Sequence, residues 1–366
     1  MKRTLAIIMA ALMLGSVTVG CSSSNSASSA PAESSATEAE STAESEADVD
    51  PSDITIGVCI YKFDDTFMTG VRDQMTKEAE KMGVTLNIVD SQNKQATQNE
   101  QVDTFLTKGV TALCVNPVDR TAAESLVKKA KDKDIPIVFI NREPEADVLN
   151  SYDKAWYVGA KAEQSGTLSG ELIVNYFKEH PEADRNGDGK IQYVMLQGEP
   201  GHQDATLRTK YSIEAIKDAG FETEELAADT AYWDKAKATD LMNTFITSKG
   251  IDKIEAVLCN NDDMALGAIE ALKAHGYNKG DESKYIPVVG VDATAPALEA
   301  MKQGSMYGTV LNDAVNQGTA AVHIAVAAAQ GKEITEDTIG YELTDNKYVW
   351  IPYVQVTQDN YEDYMS

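Results

Sequence analysis

An α/β fold of two doubly wound parallel sheets is predicted by three features of the chain. Short runs rich in β-branched residues alternate with segments whose apolar residues recur at helical spacing, the pattern of βαβ units. The alternation runs from Ile54 and starts afresh after Gly159, which makes two sheets. The 366 residues are enough for two domains that each bury a core.

The elements follow in chain order. "ITIGVCI", "VTLNIVD", "TALCVN" and "IPIVFIN" are the strands of the first round, with helical spacing between them over residues 67–82 and 95–108. "IQYVMLQG", "FETEELAAD", "IEAVLCN" and "IPVVGVD" are those of the second. Ahead of both lies "MKRTLAIIMAALMLGSVTVGC", with Lys2 and Arg3, an apolar run from Leu5 to Leu14 and small residues up to Cys21. This is the layout of an export signal. It resembles a bacterial lipoprotein signal over residues 1–20, with Thr18 at the usual Leu position, and the resemblance implies that Cys21 is lipidated. Residues 21–52 are almost wholly Ser, Ala, Glu, Thr and Asp, so they are expected to form a disordered, self-repelling tether. Cys59, Cys114 and Cys259 each sit in an apolar strand-like run and read as buried reduced thiols. The formal charge of −26 argues against nucleic acid and anionic membrane surfaces as partners, because both need a positive field.

In doubly wound sheets ligands bind beyond the carboxyl ends of the strands. Seven strand ends here carry polar turns: "YKFDDTF", "NREP", "GEPGHQDATLR", "DTAYWD", "CNNDDMA", "GVDATAP" and "TVLNDAVNQ". Any one of them is ordinary cap chemistry; seven on the ligand-binding edge point to a site. Asp, Asn and Arg offer planar bidentate groups suited to neighbouring sugar hydroxyls, and the rings of Phe67 and Trp233 suit the apolar faces of a pyranose. Asp65, Asp204 and Asp292 are also numerous enough to supply the carboxylate pair of a glycosidase. A general acid needs a raised pKa, whereas an Asp beside Arg208 is expected to have a lowered one. No nucleophile elbow, phosphate-binding loop or His-rich metal motif is present, and His202 has no nucleophile in its own motif. Binding without catalysis is the expectation.

One further motif stands apart. "ADRNGDGKIQ" matches the first nine positions of a calcium loop: Asp184, Asn186, Asp188, Gly189, Lys190 through its carbonyl, and Gln192. Position 12, normally a bidentate Glu, is Met195, a poor ligand for a hard cation. Either the loop binds no metal or a carboxylate arrives from elsewhere in the chain.

From Ile54 to the end the sequence resembles the galactose/glucose-binding proteins of bacterial sugar uptake, which have the type I periplasmic-binding-protein fold. The resemblance is carried by "IGVCIYKFDDTFM", "VFINREP", "GEPGHQDA", "CNNDDMALGAIEALKAH", "VVGVDA" and "GTVLNDAVNQ". It implies a sugar site in which Asp65, Asn141, His202, Asp204, Arg208, Asn261, Asp292 and Asn312 form hydrogen bonds while Phe67 and Trp233 stack. Gln203 stands where the family commonly has Pro. The resemblance also implies a structural calcium ion bound by Asp184, Asn186, Asp188, Lys190, Gln192 and a remote Glu255. It further implies two lobes, residues 53–158 with 312–349 and residues 159–311 with 350–366. Three crossing segments, near residues 158–161, 311–314 and 350–353, join them as a hinge.

The expectation is therefore a monomeric receptor, lipid-anchored on the outer face of the cell membrane. It closes on galactose or glucose and hands it to the permease of an ATP-driven (ABC) importer. A sugar sensor serving a chemoreceptor or histidine kinase is one alternative, and a binding protein for ribose or another sugar is a second. A sugar-responsive transcription regulator needs a helix-turn-helix that residues 1–51 do not contain.

Overall fold

A computed structural model describes residues 49–365. The export signal, Cys21 and most of the expected tether lie outside them. The last few tether residues depart from the expectation. Asp50 caps a 3-10 turn at Pro51–Asp53, and Val49 packs against the first core while its carbonyl accepts from Gln330.

The first lobe is built from β1 (Thr55–Ile60), α1 (Thr66–Met82), β2 (Thr85–Asp90), α2 (Gln95–Lys108) and β3 (Ala112–Val115). It continues through α3 (Ala123–Asp132), β4 (Ile137–Ile140), α4 (Ala146–Asn150) and β5 (Ala155–Gly159). The chain then crosses into the second lobe, with α5 (Ala162–Glu179), β6 (Lys190–Gln197), α6 (Gln203–Asp218), β7 (Glu222–Thr230) and α7 (Lys235–Lys249). After these come β8 (Ala256–Cys259), α8 (Asp262–Ala274), β9 (Val288–Val289), α9 (Ala295–Lys302) and β10 (Thr309–Leu311). It returns through α10 (Ala314–Ala329), α11 (Glu336–Ile339) and β11 (Tyr348–Trp350) to the first lobe, and crosses a third time into β12 (Val354–Val356).

The first sheet has the order β11-β5-β4-β3-β1-β2, all parallel. The second has β7-β6-β8-β9, extended by parallel bridges from Val289 to Gly308 and from Asp292 to Leu311 towards β10, which pairs antiparallel with β12. Helices cover both faces, so the inner strands are apolar on both sides. In β1, Ile56, Val58 and Ile60 face α1 and α10, while Cys59 faces the α2 and α3 side. The edge strands β2 and β7 are only partly buried and keep polar residues, as an edge facing water requires. All three cysteines are buried and free. β5, β11 and β12 were not singled out from sequence: β11 and β12 have three residues each, too few for a periodicity to register.

One close helix contact positions the site. A Cβ on Gly170 of α5 would lie 2.2 Å from the Ser212 carbonyl oxygen of α6, and one on Gly166 would lie 3.0 Å from the Arg208 Cα. The two glycines, one turn apart, let α6 approach until Arg208 Nε donates to Ser165 Oγ at 3.1 Å. Gly170→Ala is expected to push the helices apart and cost about 1–3 kcal/mol of unfolding free energy. Urea denaturation checks this, with an unchanged midpoint as the contrary result.

Candidate functional site

The order of strands reverses beside β1 in the first lobe and beside β6 in the second, and ligands in such sheets bind at the carboxyl edge of that crevice. A cavity lies there, between the lobes. Its wall contains all ten residues expected from sequence: Asp65, Phe67, Asn141, His202, Asp204, Arg208, Trp233, Asn261, Asp292 and Asn312. Tyr61, Met68 and Arg142 also line it and were not anticipated. Each lies next to or near an expected residue, in "YKFDDTFM" or "NREP", so the strand-end rule alone had the resolution to include them.

The sequence folds each side chain into place by local means. Asp65 is the N-cap of α1, with one carboxylate oxygen accepting from the Met68 N–H at 2.8 Å and the other from the Tyr61 hydroxyl. Asn261 caps α8 in the same way, accepting from the Met264 N–H at 3.0 Å. His202 caps α6: its Nδ1 accepts from the Asp204 N–H at 3.1 Å, which leaves Nε2 as the N–H donor. Asn141 has φ 63°, a left-handed conformation that Asn tolerates, and its Oδ1 accepts from Asn116 at 3.3 Å. Trp233, at φ 62°, lies so close to Gly198 that any Cβ there would fall 2.1 Å from the indole. Asp292 has φ 127°, and the turn after it is held by the buried Asp262, which accepts from the Thr294 N–H at 2.8 Å and the Thr309 hydroxyl at 2.6 Å.

Arg208 ties these groups together. Nη1 donates to the Asn260 carbonyl at 2.9 Å, and Nη2 donates to Asp204 at 3.0 Å and to the Tyr353 hydroxyl at 2.9 Å. Burial works against its charge, but Tyr353, Asp204 and Asp292 together hold it above the ordinary guanidinium value. Asp204 differs from the sequence expectation: its pKa is raised, because burial outweighs the pull of Arg208 and Arg142. Burial likewise lifts Asp292, with Asp262 and Asp65 adding to it against Arg208. Burial and then Arg142 and Arg208 depress His202 well below its usual value, so it is neutral at pH 7. On Asn312, Nδ2 donates to Asp292 at 3.2 Å while Oδ1 accepts from Gln317 at 2.6 Å. The cavity thus offers carboxylates as acceptors, guanidinium, imidazole and amide groups as donors, and aromatic rings from both lobes.

The lobes also touch directly. Arg142 donates to Glu199 at 3.0 Å, Gln203 to Glu143 at 3.1 Å, and the Thr66 hydroxyl to Asp263 at 2.7 Å.

The loop at residues 184–192 lies at the opposite end of β6. The Asp184 carboxylate accepts from the N–H groups of Gly187 and Gly189 at 2.8 and 2.9 Å, and Asp188 accepts from Gln192 Nε2 at 2.8 Å. Glu255 reaches the loop, accepting from the Arg185 N–H at 2.7 Å and the Gln192 N–H at 3.1 Å. Gln192 Oε1 is buried with no hydrogen-bond partner. Among the described residues no three acidic, His or Cys side chains form a ready cluster for a metal. The donors present are carboxylate and amide oxygens, the chemistry that a hard cation takes, and the orphaned Gln192 oxygen fits one.

Among the described residues no helix is long and apolar enough to cross a membrane. Residues 56–333 match the family described as periplasmic binding protein domain. The chain is 48% identical over 315 residues to the D-galactose/methyl-galactoside binding periplasmic protein MglB of Haemophilus influenzae, covering 86% of this chain and 92% of that one. It is 28% identical to the ribose import binding protein RbsB of Salmonella typhimurium, over 76% of this chain and 86% of that protein. A solved ABC transporter solute binding protein from Bacillus halodurans, with bound myo-inositol, superposes with a TM-score of 0.73 at 33% identity. That match covers 87% of this chain and 99% of the other. With the two wound lobes, the three crossings and the cavity between them, these similarities make the chain a member of the periplasmic binding protein family.

Proposed function

We propose that this chain is an extracytoplasmic sugar receptor that captures D-galactose or D-glucose between its lobes and delivers it to the permease of an ABC importer. One observation carries the reading: an interlobe cavity walled by three carboxylates, two guanidinium groups, a neutral imidazole, three Asn amides and aromatic rings from both lobes. Vicinal hydroxyls donate and accept at once, which is what such a mixed wall asks of a ligand. Arg142 Nε is buried without a partner, a donor that a ligand oxygen would satisfy. Phe67 and Trp233 bring apolar faces suited to a pyranose. The similarity to a galactose-binding relative at 48% identity supports a hexose over ribose.

The reading is binding without chemistry. Every carboxylate in the wall already accepts hydrogen bonds from fixed protein donors, and relatives across the family are named as binding proteins. A calcium ion at the 184–192 loop is part of the proposal, held by Asp184, Asn186, Asp188, the Lys190 carbonyl, Gln192 and Glu255. β6 spans eight residues between that loop and the sugar cavity, about 23 Å at 3.3 Å per step, so the ion's role is structural. Residues 1–20 and Cys21 are proposed as a lipoprotein signal and anchor, which would keep the receptor beside its permease at high effective concentration.

Calorimetric titration with galactose, glucose and ribose tests the central claim, with Asp65→Asn as the variant because Asn preserves the cap on α1. Both hexoses are expected to bind, and the variant to lose about 10- to 100-fold in affinity; a protein that binds neither hexose overturns the reading. Chelation of calcium should lower the melting temperature by several degrees, Glu255→Gln should remove that sensitivity, and hexose affinity should change little. Equal melting curves with and without chelator would exclude the ion. Cys21→Ala should move the protein from the membrane fraction to the soluble one.

A further inference from the structure

Four polar contacts cross between the lobes without involving any of the ten expected sugar-binding residues: Thr66 to Asp263, and three gathered around Glu199 and Gln203. Glu199, in the loop after β6, receives Arg142 Nη2 at 3.0 Å on one carboxylate oxygen and Asn93 Nδ2 at 3.2 Å on the other, both from the first lobe. Arg142 is fixed for this role: its guanidinium lies 3.9 Å from the Tyr61 ring centroid, and Nη1 donates to the Val118 carbonyl at 2.7 Å. The pair is shielded, with Arg142 7% and Glu199 18% exposed at the side chain. Four positions further on, Gln203 Nε2 donates across the cleft to Glu143 at 3.1 Å. Gln203 is the first residue of α6, so its backbone is set by the helix while its side chain is free to reach the other lobe.

We propose that Glu199 and Gln203 are positioning residues: with Arg142, Asn93 and Glu143 they form a clasp that holds the lobes shut over the ligand and sets how long it stays. Neither Glu199 nor Gln203 lines the ligand cavity, so these two act on the open–closed equilibrium through their first-lobe partners, of which Arg142 alone also lines the cavity. Its bonds join groups on opposite lobes and are therefore made only after closure. Bonds made after the encounter slow departure and leave the encounter rate alone. The charge-assisted half of the clasp is the stronger, because both partners are largely removed from water.

This inference rests on the sugar-receptor reading above and is tested on the purified full chain. Tryptophan fluorescence in a stopped-flow instrument gives galactose association and release rates separately. Glu199→Gln is expected to speed release about five- to tenfold, and Gln203→Ala about two- to fivefold. Both should associate within about twofold of the parent and melt within a degree or two of it. A merely structural role would lower the melting temperature or both rates and leave no selective change in release. Release within twofold of the parent in both variants overturns the clasp while the receptor reading stands. Failure of the parent to bind galactose or glucose overturns both.

Discussion

The site depends on one buried cation. Arg208 sits on α6, which reaches it only because Gly166 and Gly170 leave α5 bare along the line of contact. From there the guanidinium joins Ser165 on α5, the Asn260 carbonyl at the end of β8, Asp204 one turn back on its own helix, and Tyr353 in the third crossing segment. A guanidinium has five N–H donors in a rigid fork. Here it fixes, at one point, two helices, a strand end and the hinge. Removing any partner would leave a buried charge poorly matched, which is the costly kind of defect. The end of the second lobe that faces the cavity is therefore tied through one group to α5, β8 and the third crossing.

The electrostatics of the wall explain why so many carboxylates can share a small cavity. Burial raises Asp204 and Asp292, and Asp262 behind them is raised as well. Arg208 and Arg142 oppose that rise, and amide and hydroxyl donors occupy part of each acid's hydrogen-bonding capacity. A raised acid beside a second carboxylate is also what a glycosidase needs. The arrangement here differs in that each acid is bonded to a fixed donor such as Arg208, Asn312 or Thr309 and none is held apart for proton transfer. The same acids complement hydroxyl donors of a neutral ligand.

The wound architecture and the site edge were legible because both leave local marks. Strand runs end in polar turns, and Asp65 and Asn261 are of the residue types that favour helix N-termini, whereas the cap made by His202 is seen only in the structure. What was not legible arises from long-range packing. The raised Asp204 follows from burial, which no local pattern encodes, so a neighbouring Arg208 suggested the opposite sign. Nothing in the motif of Arg142 marks it, because the Tyr61 ring and Glu199 that flank it come from different elements. The three-residue strands β11 and β12 exist because neighbouring strands offer them pairing, and residues 49–53 are structured because α10 and the first core give them a surface.

β6 shows how the fold separates stability from function. Its amino end meets the loop where Glu255 gathers the backbone of residues 185 and 192, far from any ligand contact. Its carboxyl end runs into Gly198, Glu199 and His202, where the indole of Trp233, the first-lobe partners Arg142 and Asn93, and the cavity all converge. Between its ends β6 pairs with β7 along its length and with β8 over residues 193–196, and its register against β7 shifts after Tyr193. An ion or a mutation at the amino end can therefore change how firmly the lobe is folded while leaving the carboxyl end in register. The ligand, in turn, works against the hinge and the interlobe contacts, the parts of the molecule with two arrangements to choose between.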